Sequence, residues 1–202
     1  MNRFFRSTNG SVSIEVSFLL MIMVAVTGAT IEAGHAYFQW NGAQQAARHG
    51  ARLAATSDPV AQSLEDMTGL ESGVEPGMPL PDYSRSCSGK TANCDVGGYD
   101  SRAMSDIVFG PDNDRACGAT DRDRRGMCDV FKDISLSNVE VIYTSSGLGT
   151  AGFPANPAPL VTVKVTDMNF DFVFLNLFTP KRLSKMPDVS VSIMAEDLKT
   201  GA

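Results

Sequence analysis

The sequence predicts an α+β protein. A long N-terminal transmembrane helix continues into an exported domain, packs there on a small antiparallel β-sheet, and is accompanied by a disulfide-stapled loop region. Three observations predict this. A basic start is followed by an apolar run long enough to cross a bilayer. That run passes unbroken into an alanine-rich amphipathic stretch. Three segments near the C-terminus alternate apolar and polar residues with period two.

In the first nine residues Arg3 and Arg6 are the only charges. Basic residues beside a membrane segment stay on the cytoplasmic side, so the rest of the chain should point outward. From Val12 to Ile31 the only charge is Glu15. At ~1.5 Å per residue this run spans about 30 Å, the hydrocarbon thickness. Glu32, Gly34 and His35 mark its exit, and Tyr37, Phe38 and Trp40 suit a membrane interface. Beyond them Ala43, Ala46, Ala47, Gly50, Ala51 and Ala54 share one helical face. Gln44, Gln45, Arg48, His49 and Arg52 occupy the other. A stripe of small residues admits a second backbone closely. It serves equally for packing on the chain's own sheet or on another subunit. Unbroken, the helix from Ser11 to Thr56 is about 69 Å long. Ser57-Asp58-Pro59 ends it. Asp58 as N-cap and Pro59 as first helical residue predict a short second helix to about Leu70.

From Glu71 to Lys132 periodicity is weak, and Gly, Pro, Ser and Asp dominate. All four cysteines, Cys87, Cys94, Cys117 and Cys128, lie here, on the exported side. An even count there points to disulfides. The spacings do not match the paired CxxC of common zinc sites. Of three possible pairings, Cys87 with Cys94 and Cys117 with Cys128 close the shortest loops and are expected. Asp112-Asn113-Asp114 and Asp121-Arg122-Asp123 offer oxygen ligands, but no complete calcium loop is present, and a solvated charged loop is the better reading. After Asp133, strands are expected around Val139–Tyr143, Val161–Val165 and Val189–Ile193. Phe170, Phe172, Phe174, Leu175, Leu177 and Phe178 form the most apolar stretch outside the membrane run. It serves either as core or as a docking patch for a partner or the bilayer surface. Pro180-Lys181-Arg182 closes it, and with Lys185 it forms a solvated turn or a headgroup contact. The chain thus divides into 1–10, 11–56 (11–31 transmembrane), 57–132 and 133–202.

The formal charge of −6 argues against nucleic acid. No nucleophile elbow, P-loop or zinc-protease motif is present, and both histidines, His35 and His49, sit on the N-terminal helix. An enzyme is not expected, nor a cofactor or metal site.

Glu15 is the anomaly, since an acid at the start of a membrane helix is costly. It stands fifth after Gly10, behind a basic stretch and before an uncharged one. In this the chain resembles type IV prepilins. The run Ala46-Ala-Arg-His-Gly-Ala-Arg52, together with Glu32, is similar to TadE/TadG-like pseudopilins of tight-adherence pilus systems. The modest length resembles the TadE-like members, since there is no room for a von Willebrand type A domain. The resemblance covers Gly10 to about Ala55. It implies a leader, 1–10, cut between Gly10 and Ser11 by a prepilin peptidase. It also implies that Glu15 pairs with the new amine of Ser11 on its own or a neighbouring subunit. The implied protein is a minor pilin or pseudopilin with its N-terminus cytoplasmic. It is a single-pass protein of the bacterial inner membrane with a periplasmic domain. Its implied partners are membrane lipid, other pilins and the assembly platform. Two other readings stay open. A secretory signal would be cut near Thr27-Gly28-Ala29, and an uncleaved anchor would tether a periplasmic binding or scaffold module that enters no filament. Mature N-termini at Ser11, Thr30 or Met1 separate the three.

Overall fold

The structure is a computed structural model that describes residues 9–65, 67–70, 73–111, 116–118, 125–152, 158–174 and 185–195. The acidic clusters at 112–114 and 121–123, and the apolar and basic residues at 175–182, lie outside these.

One helix, α1, runs Asn9–Thr56. Nothing in it breaks the backbone ladder, since it has no proline and ten of its 48 residues are Ala. At its end Thr56 Oγ1 and Ser57 Oγ donate back to the carbonyls of Arg52 and Leu53, at 3.0 and 2.7 Å. These bonds satisfy acceptors that the last turn leaves open. The helix expected to follow Pro59 does not form, and only a 3-10 turn, Gln62–Leu64, stands there. The reason is competition for the backbone. Val60 N–H donates to the Tyr143 phenol oxygen (3.0 Å), and the Val60 carbonyl accepts from Asp100 N (2.8 Å). Gln62 N donates to the Gly98 carbonyl (3.0 Å), and Ala61 bridges Tyr99. The Gln62 N–H would otherwise close the first helical turn onto the Asp58 carbonyl, and the remaining bonds hold the chain in extended pairing.

The sheet has five strands: β1 Ser84–Ser88, β2 Asn93–Cys94, β3 Val139–Ser145, β4 Pro159–Val165 and β5 Val189–Met194. Their order is β2-β1-β3-β4-β5, and every neighbouring pair is antiparallel. The register places Val139 opposite Val165, Val141 opposite Val163 and Tyr143 opposite Val161. All six side chains are at most 2% exposed, and burying each valine is worth about 1.5–3 kcal/mol. The segment expected as loops therefore supplies two strands. β1 carries only one fully buried residue, Cys87, paired across to Cys94 and to Val141. At its end Gly89 N–H reaches the Val139 carbonyl (2.9 Å), and a β-carbon on Gly89 would press into the Leu136 carbonyl.

The same segment contains α2, Ser101–Phe109, and a single turn, α3, Met127–Val130. Asp100 caps α2 by accepting from Arg102 N and Ala103 N, and Ala103, Met104, Ile107 and Val108 form its buried face. Disulfides join Cys87 to Cys94 and Cys117 to Cys128, with Cα atoms 4.0 and 5.4 Å apart. Bridges of this kind are typically worth about 2–4 kcal/mol.

The chain forms two compact units. One comprises Met1–Gln39 with Phe170–Ser184, the other Trp40–Asn169 with Lys185–Ala202. In the second, Ala43, Ala46, Ala47, Ala51 and Ala54 of α1 have no exposed surface. The ring of Phe131 lies over Gly42, and the Met127 thioether fills the space at Gly50. Trp40, Gln44 and Arg48 line a groove of about 320 Å³ with Asp188–Val191, so this part of α1 runs beside β5.

Candidate membrane anchor and its clamp

The candidate anchor is the part of α1 from Val12 to Ile31. Val12, Ile14, Phe18, Leu20, Ile22, Val24 and Ile31 are each more than half exposed. Mean hydropathy over the best 18-residue window is 2.1, and none of that window is buried. Within the run, Ser17 and Thr27 donate to the carbonyls four residues back, and Thr30 to that of Thr27, each at 2.8 Å. These three hydroxyls thus carry no unmet donor into an apolar medium. Gly10 and Ser11 lie in the first turns of α1, and Glu15 is exposed one turn beyond Ser11.

Past the anchor, three residues at helical spacing face one segment of chain. Glu32 is 3% exposed and Gln39 5%. The Glu32 carboxylate accepts N–H from Val173 (3.1 Å) and from Phe174. Gln39 pairs with both backbone groups of Asp171: Nε2 donates to the carbonyl at 2.7 Å and Oε1 accepts from the amide at 2.9 Å. His35 Nδ1 lies 2.9 Å from the same carbonyl. Positions 32, 35 and 39 fall on one face of a helix, and the clamp reads 171–174 through its backbone. Phe174 also closes an apolar groove of about 560 Å³ with Val24, Ala25, Gly28 and Ile31, with Glu32 at its edge. In the sequence Glu32 reads as a marker of membrane exit and as part of the family resemblance, not as a clamp. Its partners lie about 140 residues away, beyond the reach of any local pattern.

The remaining predicted residues fall elsewhere. Ala43, Ala47, Gly50, Ala51 and Ala54 are covered by the chain's own second unit, so the small-residue stripe is internal packing in this fold. His49 Nε2 donates to the Arg125 carbonyl at 2.7 Å, which makes it a tie to the loop before α3. Among the described residues no three His, Cys, Asp or Glu side chains are grouped to hold a metal.

An exposed apolar helix near the N-terminus, a small antiparallel sheet and two disulfides define an α+β protein whose one long apolar helix is consistent with a single-pass anchor. Residues 10–52 match the family model of TadE-like proteins, so this stretch of the chain is similar to that family. No curated protein and no solved structure matches the chain.

Proposed function

We propose that this is a TadE-like pilus assembly protein: a minor pilin or pseudopilin of a tight-adherence pilus or related secretion system. It acts as an assembly, adaptor or initiation subunit and not as an enzyme. The observation that carries the reading is where the family match begins. It starts at Gly10, the residue after which a prepilin peptidase would cut, and it takes in Glu15 and the Ala46–Arg52 run. The apolar exposure of Val12–Ile31 supports a single pass through the inner membrane, with the N-terminus cytoplasmic and the sheet domain periplasmic.

Cleavage would free the amine of Ser11, one helical turn from the Glu15 carboxylate. In an apolar setting such a pair is favoured only when both charges are matched. A neighbouring subunit's amine would satisfy Glu15 equally and so set subunit register. Lateral packing would then fall to the anchor half of α1, because the distal alanine stripe is already covered.

The test is the mature N-terminus in cells with and without active prepilin peptidase. Ser11 should appear only with the enzyme, while Met1 or Thr30 in its presence rejects the reading. Glu15→Ala should still be cut but vanish from sheared surface filaments. Unchanged filament content would favour a tethered periplasmic module instead.

A further inference from the structure

The segment Phe170–Phe174 reads Phe-Asp-Phe-Val-Phe. Val173 and Phe174 are 57% and 53% exposed and adjacent, so together they make a contiguous apolar surface. The rings of Phe170 and Phe172 pair at 5.9 Å. Four backbone groups beneath these side chains are taken by side chains of α1. Glu32 takes the N–H groups of Val173 and Phe174, and Gln39 takes the N–H and C=O of Asp171.

Water would satisfy an exposed non-helical backbone without help. Hydrocarbon would not, and non-helical chain at membrane depth needs protein partners for its polar groups. Phe174 is also continuous with the anchor surface, since it shares one apolar groove with Val24, Ala25, Gly28 and Ile31. The geometry points to Phe170–Phe174 as a second bilayer-contacting element, a foot clamped to the anchor helix by Glu32 and Gln39, with Val173 and Phe174 in the lipid acyl region. Asp171, exposed between the rings, sets the depth, because its carboxylate must stay among the headgroups. The assignment rests on Val12–Ile31 being the anchor.

The full chain, reconstituted in phosphatidylethanolamine–phosphatidylglycerol vesicles, tests it. Photoreactive benzoylphenylalanine is placed singly at Phe174, at Leu20 in the anchor, and at Leu148, which is exposed in the other unit. Mass spectrometry reads the adducts. Lipid adducts at both Leu20 and Phe174, and none at Leu148, are expected. Lipid at Leu20 with only a second copy of the chain, or nothing, at Phe174 overturns the foot and leaves the anchor standing. No lipid at Leu20 removes both. Glu32→Ala should lower the Phe174 lipid yield by about tenfold, the order of a lost charge-assisted hydrogen bond, with Leu20 unchanged. A yield at Phe174 that does not move rejects the clamp.

Discussion

The two halves of α1 are opposites built on one backbone. From Val12 to Ile31 the side chains are large and point outward, with Phe18, Leu19, Leu20 and Met21 all more than 60% exposed. From Ala43 to Ala55 the inward residues are small, and five alanines have no exposed surface at all. The first half turns its bulk outward. The second gives up bulk so that Phe131 and Met127 can approach Gly42 and Gly50. Hydrophobicity alone does not separate them. What separates them is side-chain size on the contact face, because close packing needs small residues and lipid contact does not.

Substitutions that exchange the two logics should break the contrast. The largest effect is expected for Leu20→Arg. A cation at the centre of a membrane helix costs about 2.5–3.5 kcal/mol, so carbonate-resistant membrane association should collapse. Gln45→Arg, on the exposed side of the distal half, should leave association unchanged. Next comes Ala47→Leu, which overpacks a fully buried site and should cost the folded domain about 1–3 kcal/mol in denaturant unfolding. Leu20→Ala should stay within about 0.5 kcal/mol in the same assay. Equal losses for both would mean that the anchor half is packed inside the fold.

Tyr143→Phe sharpens the distal side. It leaves the Val60 N–H buried without its acceptor, at a cost of about 1–3 kcal/mol. Burial raises the Tyr143 pKa above its ordinary 10.0, against a smaller opposing effect of the bond from Val60. The folded value exceeds the unfolded one, so this stability is whole below pH 10 and declines as pH rises beyond it. The variant should show a shallower alkaline loss. Some loss should remain, because burial pushes Tyr83 up to about 12, with Arg85 opposing, and raises Tyr99 as well. The smallest effect belongs to Asp167→Asn. Hydrogen bonds from Lys90 and then Lys185 hold this exposed carboxyl below its ordinary 3.8. Its contribution is present above that value and fades as pH falls through the folded pKa. Acid unfolding curves of variant and parent should therefore differ slightly at neutral pH and converge in acid.

Legibility tracks how local each signal is. The long helix is readable because an unbroken apolar run, Val12–Ile31, passes into a helical face of small residues at Ala43–Ala54, and β3, β4 and β5 because period two runs through Val139–Tyr143, Val161–Val165 and Val189–Ile193. β1 is not, because Ser84-Arg-Ser-Cys-Ser has no apolar alternation and pairs through its backbone and Cys87. α2 does carry a local signature, masked by the glycines and aspartates around it: Asp100 as cap, apolar residues at 103, 104, 107 and 108, then Gly110-Pro111. The helix expected after Pro59 has correct start signals, yet the loop at Gly98–Asp100 claims its backbone. Of the candidate site, the anchor is visible in composition, whereas the clamp of Glu32, His35 and Gln39 on 171–174 depends on contacts that no neighbouring residue announces.

The bond from Val60 to Tyr143 couples two decisions the chain must make separately. A slip of β3 by one position would turn the phenol to the opposite sheet surface. The turn that halts the long rod would then lose its acceptor. Strand alignment and rod termination thus act as mutual gauges, and a mis-threaded domain carries an orphaned amide where the rod ends.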